Sequence, residues 1–231
     1  MAAKLIRMGC LDRAVVGGVD AMSNFTVNGF RSLMIYDKEF CKPFDKDRKG
    51  LNLGEGAGYI ILENSKSLGL TKNTALAKLS GWYNASDAYH QTASSPTGEG
   101  AQLAMQGALN RAGLLPKDIS YINAHGTGTP NNDLSESTAI KAVFGADIPP
   151  FSSTKAYTGH TLAASGGIEA GFALMALKYN CLYPNLHFTN SIEETNLVPV
   201  IRFEFVKEMN HILSNAFGFG GNNTSLIFSK I

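Results

Sequence analysis

The sequence predicts an α/β protein built on a layered sheet, and three observations carry that expectation. Short apolar runs alternate with helical stretches from about residue 75 onward. A chain of 231 residues, 44% of them hydrophobic, can bury a real core. His125 directly follows the apolar run Ile119 to Ile122, and strand ends are where α/β proteins place reactive groups.

Taken in order, Met1 to Met8 reads as the tail of a helix with Gly9 as its C-cap, so the chain is expected to open in mid-architecture. A short buried strand through Ala14, Val15 and Val16 follows and stops at Gly17-Gly18. Residues 23–57 are rich in Asn, Gly, Lys and Asp and read as a long connection, a kind that is usually functional. Tyr59 to Leu62 forms a second strand.

The regular part then reads as strand 75–83, helix 98–112, strand 119–123, helix 132–143, strand 151–153 and helix 161–179, followed by strands near 200–205, 210–215 and 223–228. Neither a repeat of fixed period nor a low-complexity segment interrupts it.

The charges nearly cancel, 20 basic against 19 acidic, which gives no reason to expect a nucleic-acid partner or binding to an anionic membrane surface. Cys10, Cys41 and Cys181 are odd in number and widely spaced, which indicates neither a disulfide framework nor a zinc site and suits a reducing cytoplasm. The longest membrane-like stretch, Thr161 to Tyr179, is interrupted by Gly166, Gly167, Glu169 and Gly171 and suits a packed helix better than a bilayer.

Three constellations could carry chemistry. In Asn123-Ala-His125-Gly-Thr127-Gly-Thr129-Pro the glycines let a ligand approach the backbone and the threonines offer hydroxyls; His125 alone reads equally as a satisfied structural group. Asp133 and Glu136 follow three apart, as if on one helical face.

In Ser152-Ser-Thr-Lys155 and Gly159-His160, the second histidine lies near a helix N-terminus, where the macrodipole favours the neutral ring. Two neutral imidazoles could grip one carbonyl oxygen. Lys155 is either a solvated amine or an electrostatic fix for a neighbour, while Glu169, set among Gly, Ala and Phe, must be paired somewhere.

In Asn215-Ala-Phe-Gly218-Phe219-Gly220-Gly221-Asn-Asn223, the glycines either leave N–H groups free for an anion or form a tight hairpin. Asp45 to Gly50 reads as a solvated charged turn, and Gly54 to Gly58 lacks the context and lysine of a phosphate loop, which argues against nucleotide binding.

HGTGT, SSTKAYTGH, LGEGAG and SNAFGFGGNN, in their order along the chain, together resemble the β-ketoacyl-acyl-carrier-protein synthases of fatty-acid and polyketide synthesis. The resemblance runs from Met1 to Ile231. It implies a thiolase-like α-β-α-β-α stack, here its C-terminal half at 71–231 with a remnant of the N-terminal half at 1–70.

It also implies roles. His125 and His160 match the catalytic histidines and Lys155 the residue that orients them. Phe219 matches the gate whose N–H serves the oxyanion hole, beside Gly218, Gly220 and Gly221. Thr127 and Thr129 match hydroxyls that meet a phosphopantetheine arm, and Asp133, Glu136 and Glu169 match supporting acids. Asn123, Glu169, Ser214 and Asn223 match positions that in some relatives hold a structural sodium or potassium ion; all are oxygen-bearing, as a hard cation requires.

The family's nucleophilic cysteine, expected upstream of Met1, has no counterpart in Cys10, Cys41 or Cys181. The resemblance therefore implies decarboxylative condensation of an acyl thioester with malonyl carrier protein, with this chain deficient in the condensation step. Two alternatives stand beside it: a malonyl-thioester decarboxylase, and a non-catalytic subunit like a chain-length factor. Expected partners are acyl carrier protein, a second copy in a homodimer, or a cysteine-bearing partner half; no cofactor is expected beyond the carrier's own arm. Arg31, Lys38 and Lys42 are candidates for carrier docking, and Phe30 and Met34 line the acyl pocket or are simply core.

Overall fold

The computed structural model describes residues 1–71 and 73–231; Lys72, within the expected C-terminal half, lies outside the described residues. The first part comprises α1 (Ala2–Arg7), β1 (Arg13–Asp20), α2 (Asn24–Ser32), β2 (Gly56–Glu63) and α3 (Ser65–Gly69). There follow β3 (Lys78–Ser86), α4 (Glu99–Ala112), β4 (Tyr121–Asn123), α5 (Pro130–Phe144), β5 (Phe151–Ser152), α6 (Lys155–Thr158) and α7 (Ser165–Tyr179). The chain closes with β6 (Cys181–Leu182), β7 (Glu204–Phe205), β8 (His211–Gly218) and β9 (Asn222–Ser229).

Strands β3-β9-β8-β4-β5 form one mixed sheet, with β4 parallel to β5 and β8 and the remaining pairs antiparallel. Strands β1 and β2 form a separate antiparallel pair, and β6 with β7 a small ribbon. Helix α7 lies between the two larger sheets, touching β1 and β2 on one side and β8 and β9 on the other. Helices α4 and α5 cover the far face of the five-stranded sheet.

The alternation of side chains along β4 and β8 divides the core. Ile122 and Leu213 join the cluster under α4 and α5, whereas Tyr121 and Ile212 join the cluster under α7. The β1–β2 pair presents Val15, Val19, Tyr59 and Ile61 on its outer face, all more than half exposed.

Gly9 caps α1 as expected: at φ 74° its N–H reaches Ile6 O, and Cys10 N–H reaches Leu5 O. Strand β1, however, does not stop at Gly17-Gly18 but runs through them to Asp20. The glycines are there for closeness: a Cβ on Gly18 would lie 1.9 Å from Ala163 O, just before α7. Gly58 on β2 is equally committed, its Cβ position 2.4 Å from Ile168 N of α7.

Other differences have local causes. The expected helix 161–179 is a 3-10 turn at Leu162–Ala164 followed by α7, with Leu162 at φ 48°. The strand expected over 200–205 shrinks to Glu204–Phe205 because Val200 is bonded instead to Phe151 O and Asn185 N. The long connection contains α2, capped by the Ser23 hydroxyl accepting from Thr26 N–H. Within it the expected solvated turn is half interior: Asp45 is fully buried, accepting from the N–H groups of Asp47, Thr189 and Asn190.

Candidate active site

The site assembles at the carboxyl ends of β4 and β5. His125 leaves β4 on a loop that two buried carboxylates of α5 hold by its backbone. Glu136 accepts from the N–H groups of His125 and Gly126 at 2.9 and 2.8 Å, and Asp133 accepts from Gly128 and from Phe44. Gly126 and Gly128 take positive φ, and a Cβ at Gly126 would strike Phe44 and Ser153 at 2.6 Å. Burial pushes the Glu136 carboxyl up to about 7 against these hydrogen bonds, and burial raises Asp133 as well.

Lys155 opens α6 just after β5 and is 1% exposed, so the solvated-amine reading is excluded. Its ammonium donates to His125 Nδ1 at 3.2 Å, to His125 O at 2.7 Å and to the Glu169 carboxylate of α7. That ion pair supplies the partner that Glu169 required. Burial pushes the Glu169 carboxyl up while the contacting ammonium pulls it down.

The rings of His125 and His160 meet edge to face at 5.4 Å. Burial, then Lys155, then His160 hold His125 well below the ordinary histidine value. His160 is pushed down to about 3, by burial first and Lys155 second.

Both tautomers follow from donors. An ammonium can only donate, so Nδ1 of His125 is a lone pair; the Leu162 N–H donates to Nδ1 of His160 at 3.2 Å. Each neutral ring therefore carries its proton on Nε2.

Both histidines open on a cavity of about 790 Å³. One part of its wall is apolar, with Phe30, Met34, Ile35, Leu162, Phe217 and Phe219. Another is polar, with Thr127, Thr129, Thr92, Ser94, Asn131 and Asn132. Phe30 stacks on Phe219 at 5.9 Å, which places both Phe30 and Met34 at the cavity and not in the core. Thr127 and Thr129 share a 2.9 Å hydroxyl hydrogen bond.

The glycine segment is chiefly a hairpin joining β8 to β9. Gly218 and Phe219 reach the cavity, but the Gly220 N–H is spent on Gln91 O at 2.8 Å, and a Cβ on Gly221 would lie 2.2 Å from Asp87 Oδ1. The expectation of a free N–H nest is corrected to that extent.

Of the four oxygen-bearing residues proposed to hold a cation, three converge. Asn123 Nδ2 donates to Ser214 Oγ and to Glu169 O, and Asn123 Oδ1 and Glu169 Oε2 are buried without a partner. Two orphaned oxygens fit a hard monovalent ion. Asn223 does not belong with them: its amide packs against Gly100 of α4, across the sheet from α7, and donates to Gly221 O.

Arg31 and Lys38 are exposed on the long connection, and Lys42 lies 3.9 Å from Glu39. Sequence reasoning missed Leu162 and Ser165, which orient His160, and Lys49, which lies on the cavity wall. A positive φ at Leu162 has no sequence signature, and Lys49 sits among other charges.

Comparison with known proteins gives this geometry a family. The description "Beta-ketoacyl synthase, C-terminal domain" matches residues 76–189, and "Beta-ketoacyl synthase, N-terminal domain" matches residues 1–67. The chain belongs to the β-ketoacyl synthases. It is 39% identical to 3-oxoacyl-[acyl-carrier-protein] synthase 2 of Staphylococcus aureus strain COL over 99% of this chain and 57% of that protein. It thus spans somewhat more than half the length of the curated relatives it matches.

Among solved structures, the ishigamide ketosynthase/chain length factor superposes with TM-score 0.94 at 31% identity, covering 99% of this chain and 56% of that one. The Xenorhabdus doucetiae ketosynthase ApeO, solved in complex with its chain length factor ApeC, gives 0.88 at 38% identity, covering 99% and 55%. The thiolase-like α/β fold that the resemblance implied is the one observed. Among the described residues no helix is long and apolar enough to cross a membrane.

Proposed function

We propose that this chain carries the malonyl-thioester side of a decarboxylative β-ketoacyl-carrier-protein synthase and, alone, does not condense. The observation that carries the first part is the pair of neutral imidazoles, each with its proton on Nε2, at one cavity. When the malonyl carboxylate leaves as CO₂, the C–C bond electrons pass to an enolate whose oxygen accepts both N–H donors. Lys155, itself paired with Glu169, holds the His125 ring, and burial first and Lys155 second keep both histidines uncharged.

The second part rests on the thiols. Among the described residues no cysteine lines the cavity, and burial pushes Cys41 up to about 11, far from the thiolate that acyl transfer needs. Acyl carrier protein is the proposed donor partner, in keeping with the name of the Staphylococcus aureus relative, and a homodimer the proposed assembly. A reducing cytoplasm suits three unpaired cysteines.

The test is CO₂ release from malonyl carrier protein with β-ketoacyl product followed in parallel. CO₂ without β-ketoacyl product, lost in His160→Ala, is expected; robust β-ketoacyl formation by the chain alone would overturn the reading. The ketosynthase–chain-length-factor neighbours favour a second reading, a non-catalytic subunit, and absence of CO₂ release together with co-purification of a cysteine-bearing ketosynthase would establish it.

A further inference from the structure

The cavity wall is charged on one side only. Among the described residues its lining contains no Asp and no Glu, and its single lysine is Lys49, in a chain whose total charges nearly balance. The two histidines are neutral, so Lys49 supplies the one full charge on the wall. The ion pairs among the described residues join Arg13 to Glu63, Lys42 to Glu39 and Lys155 to Glu169, which leaves the Lys49 ammonium without a carboxylate partner.

Its place on the wall is fixed from both sides. Arg48 turns inward and donates to Pro130 O at 2.7 Å and to Thr129 O at 3.3 Å, tying residue 48 to the loop after His125. Gly50 is pressed against the Ile35 carbonyl, where a Cβ would lie 2.3 Å away, and Leu51 N–H donates to that same oxygen. Lys49 thus lies between two anchored neighbours on the wall of the cavity that Thr129, Asn131 and Asn132 also line. The first turn of α5 opens there too, without a side-chain cap because the Thr129 hydroxyl is taken by Thr127.

We propose that Lys49 is a specificity-determining residue that recognises the anionic phosphate of the phosphopantetheine arm while the thioester lies at the histidines. The proposal rests on the reading of the site as a malonyl-thioester site. A phosphate oxygen accepts a charge-assisted hydrogen bond from an ammonium, in a cavity where no carboxylate competes for it.

The test is titration calorimetry of wild type, Lys49→Ala and Lys49→Arg with amide analogues that cannot turn over: malonyl-pantetheine, acetyl-phosphopantetheine and acetyl-pantetheine. Wild type is expected to bind the phosphate-bearing analogue more tightly than acetyl-pantetheine. Lys49→Ala should lose about tenfold on that analogue alone, and Lys49→Arg should retain most of it.

Equal loss on all three, or none, overturns the proposal. A loss confined to malonyl-pantetheine overturns it in favour of the malonyl carboxylate. If wild type binds acetyl- and phosphate-bearing analogues equally, Lys49 is misassigned while the site reading stands; if it binds none, the site reading falls and the proposal with it.

Discussion

Lys155 holds His125 by two atoms at once, its ammonium donating to the ring Nδ1 at 3.2 Å and to the carbonyl oxygen of the same residue at 2.7 Å. The third donor goes to Glu169, so one buried cation fixes a tautomer, a ring plane and the β4 loop together.

Lys155→Met should therefore cost about 3–5 kcal/mol in urea unfolding, because it strands the Glu169 carboxylate in the interior. Pairing it with Glu169→Leu should restore most of that loss. A double variant no more stable than Lys155→Met alone would show that the pair is not the source of the cost.

His160, held at about 3 against an ordinary 6.5, binds a proton in the unfolded chain at pH values where the folded protein refuses it. Its contribution to stability is full above pH 6.5 and is lost as the pH falls toward 3. Glu136, at about 7 against 4.5, works in the opposite sense, favouring the folded state as pH falls through that range. His160→Gln should accordingly lose less stability than wild type between pH 7.5 and pH 5, by up to about 2 kcal/mol. Parallel stability–pH curves for the two proteins would contradict this.

The glycines divide by what surrounds them. Gly58→Ala should destabilise by roughly 1–3 kcal/mol, since its new methyl would press on α7. Gly29→Ala, in α2 with nothing within 4 Å of the added Cβ, should stabilise by about 0.5–1 kcal/mol. Thermal melts of both variants check the contrast in sign.

Alkylation by iodoacetamide, read by mass spectrometry, should mark Cys10 first, because it is exposed on the turn after α1. Cys41 and Cys181, both buried and with thiols pushed up by burial, should react only on unfolding. Fast native labelling of Cys41 would revive it as a nucleophile.

If Asn123 and Glu169 hold a monovalent cation through their unpartnered oxygens, potassium or sodium should raise the melting temperature relative to choline at equal ionic strength. At a hundred times the dissociation constant the gain is about 2.7 kcal/mol. Asn123→Ala should abolish the difference between the salts.

Much of this was legible in the sequence. Period-2 and helical patterns located α4, α5, β8 and β9 to within a few residues, and the HGTGT and SSTKAYTGH segments named the residues that meet at the cavity. What was not legible depends on long-range contact. Gly17 and Gly18 read as a stop because nothing local announces that Gly58 and Tyr59 of β2 and the 3-10 turn before α7 will press against the strand. Asp45 read as solvated because its hydrogen-bond donors, Thr189 and Asn190, come from far along the chain. Asn223 was assigned through the family resemblance, and strand alternation turns its amide to the other side of the sheet.

The bare face of the β1–β2 pair also governs how the protein behaves in a tube. Val15, Val19, Tyr59 and Ile61 form an adhesive facet with little charge to screen, so added sulfate should promote clustering instead of dispersing it. Cooling weakens apolar association, so a cold, low-salt buffer is where single chains should persist longest.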